Sequence, residues 1–220
     1  MSAVYQARWV LLDGTLVTVG ITVLAGALAA VLAFAAGLAR VSRRRTVRAL
    51  ATAYVELFRG VSLLVQLFWL FFVLPFFGIE LSPFVTAVVG LGLCNGAYGA
   101  EIVRGAIQAI PRPQIEAAVA LNFTPLEQMR HVILPQALPS MLPPFGNLAI
   151  ELLKATALVS LITIQDLAFQ ALTLRQTTMR TFEPFMVVLV VYFVLAMGVS
   201  LGFRRLERTV NLGLDRGGLR

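Results

Sequence analysis

Three polar residues, Asn147, Glu151 and Lys154, interrupt an otherwise apolar run from about Pro143 to Gln165. Spacings of four and three put them on one helical face, and Glu151 and Lys154, three apart, can pair. A charge inside hydrocarbon costs ~3 kcal/mol on insertion scales, so neither is at home against lipid. A carboxylate beside an ammonium can meet a zwitterion with both signs of charge, or form a structural ion pair facing another subunit; the spacing allows both. In a helix starting near Pro143, Lys154 would lie about 16 Å along it, near mid-bilayer. Asn95 and Gln66 are deep and neutral, able to bind a polar solute or to bridge helices, an interaction averaging under ~1 kcal/mol in membranes. None of this is a catalytic constellation. Lys154 is the only lysine, and its setting, Glu-Leu-Leu-Lys-Ala-Thr, lacks the glycine-rich cradle of a P-loop ATPase. His131 is the only histidine, too few for a paired-histidine haem anchor, and Cys94 alone can form no intrachain disulfide.

The elements that must hold these residues are written in the composition. Hydrophobic residues make up 59% of 220 positions and charged residues 13%, with mean hydropathy +0.86. Soluble domains carry about a quarter charged residues, so this chain is built for lipid. Five stretches can span a bilayer: Gly14–Ala39, Gly60–Ile79, Leu81–Ala100, Pro143–Gln165 and Phe185–Phe203. Backbone polar groups in hydrocarbon must bond internally, and runs this long fit helices rather than barrel strands. The fold class is therefore an all-α integral membrane protein with five transmembrane helices, and residues 1–220 form a single domain. The first span is too long, and too poor in preceding basic charge, for a removable signal peptide; Trp9 would anchor its start at the interface.

Arginines set the orientation. Arg40, Arg43, Arg44, Arg45, Arg48, Arg104, Arg112, Arg130, Arg204, Arg205, Arg208, Arg216 and Arg220 fall on one side, against Arg8, Arg175 and Arg180 on the other. The positive-inside rule then puts the N-terminus outside and the C-terminus in the cytoplasm. Topology accounts for the net charge of +7, and no nucleic-acid partner is needed. Glu56/Arg59 and Glu101/Arg104 are i, i+3 pairs at cytoplasmic ends of spans and read as interfacial pairing.

The longest cytoplasmic piece runs from 111 to 139. Pro111-Arg112-Pro113 ends one helix and opens another. A short helix over Gln114–Leu121 reaches Asn122, a residue type that tolerates the left-handed conformation found at helix ends. Thr124-Pro125-Leu126-Glu127 spells a capping box, opening a second short helix to about Ile133 that should end before Pro135. Two stubby helices joined by a sharp bend make a knob suited to docking.

Glu116-Ala117-Ala118, then Asn122, then Ile133-Leu134-Pro135 resembles the cytoplasmic EAA loop of ABC importer permeases, with Asn where that loop usually has Gly and with Ile one residue nearer to Leu-Pro. Val55–Gly60, Leu63–Gln66, Ala97–Gly105 and Leu153–Ser160 resemble, in order, stretches of the polar amino acid (histidine/glutamine/arginine-type) permeases. Leu67–Pro75, Ala120–Asn122 and Gly146–Leu148 are similar to permeases of ectoine/hydroxyectoine importers. The resemblance implies a type I ABC importer permease of the bacterial inner membrane, itself non-catalytic and without a bound cofactor. Its partners would be an ABC ATPase dimer that uses ATP and Mg, a second permease subunit and an external solute-binding protein, with the bilayer around it. Glu116, Ala117, Ala118 and Asn122 would sit on the helix coupling to the ATPase, and Asn147, Glu151, Lys154, Asn95 and Gln66 along the translocation pathway. A self-sufficient secondary transporter and a non-transporting membrane scaffold are the rival readings.

Overall fold

A computed structural model of the protein describes residues 8–215; Arg216 and Arg220 of the basic tail lie outside them. All regular structure among the described residues is helical: α1 (Arg8–Arg40), α2 (Arg45–Gly60), α3 (Leu63–Phe68), α4 (Pro83–Gln108), α5 (Arg112–Ala120), the single turn α6 (Pro125–Glu127), α7 (Leu134–Ala155), α8 (Leu167–Thr178) and α9 (Phe182–Asp215). Four helical stretches are long and apolar enough to cross a membrane, and α2 with α3 and its continuation to Phe77 makes a fifth if a pair bent by 102° counts as one.

α1 and α4 form the spine. Most buried residues of α1, spaced three or four apart, are small, among them Gly14, Thr18, Ala25, Ala29, Ala33 and Gly37, which lets two backbones approach as membrane helices do. A Cβ on Gly37 would stand 2.6 Å from Val103 Cβ, and one on Gly99 would stand 2.6 Å from Ala33 Cβ. These contacts advance together along both chains, so α1 and α4 run parallel. α7 runs against α9, since Gly146 packs on Phe203 and Thr156 meets Tyr192 at 3.2 Å. Phe34 of α1 stacks on Phe145 of α7 with centroids 5.9 Å apart. One core cluster gathers Ile21, Ala25, Leu67, Leu91, Leu152 and Ile162; a second, around Val103, Ile107, Ile133, Ala137 and Met141, packs the loop end of the bundle.

Two spans depart from expectation. The second was expected as a helix over Gly60–Ile79 and is helical from Leu63 to Phe77, but a further helix, α2, precedes it, ends at Gly60 and is set off from α3 by an extended Val61 (φ −113°, ψ 139°). Glycine ends the helix readily, and a side chain replaces the lost backbone bonds: Gln66 Nε2 donates to Phe58 O and Val61 O, each at 2.8 Å. Beyond Phe68 the helix widens into a π turn (Trp69–Val73) and tightens to a 3-10 turn (Leu74–Phe77), where Pro75 supplies no N–H. The fourth span was expected to begin near Pro143, after a knob helix that stops before Pro135. Instead the chain is helical from Pro125, through a π turn at Gln128–Ile133, into α7. Pro135 follows directly on the π turn, whose wider i to i+5 bonding (Leu134 N to Met129 O) lets the helical path run past a residue that has no N–H and a bulky ring. α7 then gives way at Thr156 to a 3-10 helix that ends at Ile162. Lys154 therefore lies in the last turn of the α-helix, where a cation suits the helix dipole, rather than halfway along it.

Candidate functional site

The α2/α3 break opens one wall of a cavity of about 380 Å³, within the range of small-molecule sites. Arg59, Val61 and Ser62 of the break, Cys94, Asn95 and Tyr98 of α4, and Glu151 and Ala155 of α7 are among its lining residues. Asn95 is buried and its Nδ2 donates to Leu91 O at 2.9 Å, leaving its carbonyl oxygen for another partner. Glu151 is exposed on the chain by itself and joins no ion pair among the described residues. The lining of the cavity thus includes one guanidinium, Arg59, and one carboxylate, Glu151.

Of the five residues expected along a pathway, Asn95 and Glu151 meet here. Gln66 lies just behind the wall, both Nε2 hydrogens committed to carbonyls at the break, and its Oε1 is buried without a hydrogen-bond partner among the described residues. Asn147 and Lys154 share the exposed face of α7 with Glu151 but do not line the cavity. The Glu151–Lys154 pair is not formed. Arg59, Ser62 and Tyr98 were not singled out from the sequence as lining residues. The signal for Arg59 and Ser62 is an amphipathic stretch, 45–60, that runs into Val61-Ser62 shortly before polar Gln66; Tyr98 lies far off on α4.

Beside the cavity lies an ion cluster. Glu101 of α4 accepts from Arg40 of α1, from Arg59 at 3.1 Å and from Arg104 at 2.8 Å; Glu56 lies 3.8 Å from Arg40. The expected Glu101/Arg104 pair is present. Glu56 and Arg59, also expected to pair, instead turn to Arg40 and Glu101.

At the same end of the bundle, α5 carries Glu116, Ala117 and Ala118. It closes in a Schellman arrangement: Phe123 N donates to Ala118 O at 3.1 Å and Asn122 N to Val119 O at 2.9 Å, with Asn122 left-handed at φ 56°. The capping box that starts α6 has both halves, Glu127 N to Thr124 Oγ1 at 3.4 Å and Thr124 N to Glu127 Oε2 at 2.7 Å. Val119, Leu121 and Leu126 are exposed on this knob together with Glu116, Asn122 and Glu127, the mixture of apolar and polar groups that docking sites carry.

At the opposite end, Asp166 caps α8, its Oδ1 accepting from Phe169 N at 3.0 Å. It is buried, and its Oδ2 has no hydrogen-bond partner among the described residues. Burial pushes its carboxyl up to about 6, against the backbone N–H groups of Phe169 and Ala168 that favour the anion.

A bundle of apolar helices, one of them broken at a polar cavity, with a structured knob at one end, defines a membrane permease. Residues 14–212 match the sequence profile of the binding-protein-dependent transport system inner membrane component, and the chain belongs to that family. It is 47% identical over 203 residues, 90% of this chain and 85% of the relative, to the probable amino-acid ABC transporter permease protein y4tF of Sinorhizobium fredii (strain NBRC 101917 / NGR234). It is 36% identical over 213 residues, 96% of this chain and 97% of the relative, to the glutamine transport system permease protein GlnP of Escherichia coli (strain K12). The crystal structure of an amino acid ABC transporter with histidines superimposes with TM-score 0.86 at 35% identity, covering 93% of this chain and 96% of that one. The chain is accordingly a multi-pass inner-membrane permease subunit of an amino-acid ABC transporter, with the type I permease fold.

Proposed function

We propose that this subunit imports a polar amino acid or an amino-acid-like zwitterion, received from an external binding protein, with ATP and Mg used by a separate ABC ATPase dimer. Two permeases, identical or mixed, would enclose the path between them. The N-terminus lies outside, the C-terminus in the cytoplasm, and residues 111–139 form the coupling loop within a single domain, 1–220. The observation that carries the reading is the cavity at the α2/α3 break with Arg59 on one wall and Glu151 on another. Broken membrane helices are where transporters place solute sites, and two opposite charges suit an ammonium and a carboxylate. Asn147 and Lys154 extend the polar face of α7 beyond the cavity, and Asn95 adds a neutral hydrogen-bonding group. Gln66 acts on the path at one remove, by holding the break open.

Coupling rests on the knob. Glu116 offers a charged hydrogen bond, Ala117 and Ala118 permit close approach, and Asn122 fixes the angle between α5 and α6. Closure of the ATPase pair would push this rigid handle and tilt the spans as bodies, since packed helices shift between discrete arrangements rather than bend continuously.

Relatives named for glutamine and cystine weigh toward α-amino acids over ectoine as the solute. Reconstitution with the ATPase and binding protein in proteoliposomes tests the reading. ATP-dependent uptake of an L-amino acid is expected, with excess ectoine competing poorly. Uptake without ATPase would make the chain a secondary transporter, and no uptake of any of these solutes would leave it a scaffold. Ectoine displacing the amino acids would instead assign the ectoine subgroup.

A further inference from the structure

We propose that Arg59 is the residue that recognises the solute's carboxylate, and that it does so by leaving Glu101. The inference rests on the amino-acid reading above and deepens it.

Charge balance singles out Arg59. Three guanidinium groups, those of Arg40, Arg59 and Arg104, converge on Glu101, and the one further carboxylate in the cluster is Glu56 near Arg40. One cation is in excess. Arg104 holds Oε2 through Nε and Nη2, both at 2.8 Å, and Arg40 holds Oε1. Arg59 reaches only Oε1, which it shares with Arg40, at 3.1 Å. Glu101 keeps a donor on each oxygen without it.

Position singles it out again. The side chain of Arg59 is 38% exposed, against 11% for Arg40 and 33% for Arg104, and it alone of the three lines the cavity. Its guanidinium lies 5.4 Å from the centroid of the Tyr98 ring, another lining residue. An aromatic face holds a guanidinium while leaving its planar edge free to take both oxygens of a carboxylate. Arg59 is also the last residue before Gly60, where the helix ends, so its movement strains little backbone. Glu151, also among the lining residues, has no ion-pair partner among the described residues and would receive the ammonium. A solute with both groups satisfies the two walls together; an amine without a carboxylate leaves Arg59 on Glu101. The exchange also removes one of the ties between α2 and α4, so occupancy and the packing of the broken helix become linked.

The test uses the permease–ATPase complex in nanodiscs, without the binding protein, so that selectivity belongs to the permease. Binding of L-glutamine and of L-glutaminamide, which lacks the carboxylate, is measured for wild type, R59Q, R59K and E101Q. Wild type should prefer glutamine at least tenfold. R59Q should lose that preference by weakening glutamine alone, R59K should retain part of it, and E101Q, having released Arg59, should bind glutamine several-fold more tightly. A gain in affinity cannot come from misfolding. Equal binding of the two ligands by wild type, or an unchanged preference in R59Q, would overturn the inference while ATP-driven uptake by wild type still upheld the amino-acid reading. Absence of that uptake would remove both.

Discussion

Single side chains in this protein often serve the backbone before they serve a solute. Gln66 satisfies two carbonyls at the break, where no helix N–H is available. Q66A would leave buried acceptors unpaired at a cost of roughly 1–3 kcal/mol, read as a lower midpoint in thermal unfolding of the purified protein and a loss of uptake. Asp166 carries a pH signature. Its folded carboxyl is raised to about 6 from 3.8, so the folded state keeps a proton that the unfolded chain gives up. The stabilisation that this proton confers is complete below about pH 4, declines as pH rises through the interval between the two values, and is gone above about 6. Comparing wild type with D166N, which can still cap α8, should show the decline only in wild type. Parallel melting curves from pH 4 to 7 would rule the account out.

Local rules of helix starts and stops shaped several elements as expected and misjudged others. Asn122 and Thr124 behave as their types suggest, because a left-handed residue and a capping box depend on neighbours within a few positions. N122V puts a β-branched residue at φ 56° and should cost 1 kcal/mol or more, about the usual strain, whereas N122G should be neutral or slightly stabilising. The readout is ATPase copurified with the permease, and equal recovery for both variants would show that the bend angle does not matter. Charge reversal in E116R should release the ATPase without lowering the permease's own melting temperature. Proline was the misleading residue: Pro135 suggested a stop, but a π turn carried the helix past it, and helix breaks depend on whether neighbouring helices fill the gap.

At the scale of the molecule, α1 and α4 lie so close that side chains cannot be added between them. G99L would force Ala33 and Phe145 apart and should cost about 3 kcal/mol, the upper end for overpacking, giving protein that accumulates poorly in the membrane. Sidedness has its own test. With the buried Cys94 changed to Ala, Q114C on the knob should be modified by an impermeant maleimide in inside-out vesicles and protected in right-side-out ones. The reverse pattern would invert the topology.

The amino-acid sequence alone determined that the chain lives in lipid, roughly which stretches are apolar enough to cross it and what closes the knob. These follow from hydropathy, charge and short-range backbone bonding, which are properties of composition and neighbouring residues. Only the tertiary structure decided that the second span is broken, that Gln66 mends the break, that Arg59 prefers Glu101 to Glu56, and that Asn95 and Glu151 share a cavity while Lys154 does not. Those outcomes hang on distances between helices far apart in the chain, and i, i+3 spacing says which partners can meet without saying which of several competing partners wins.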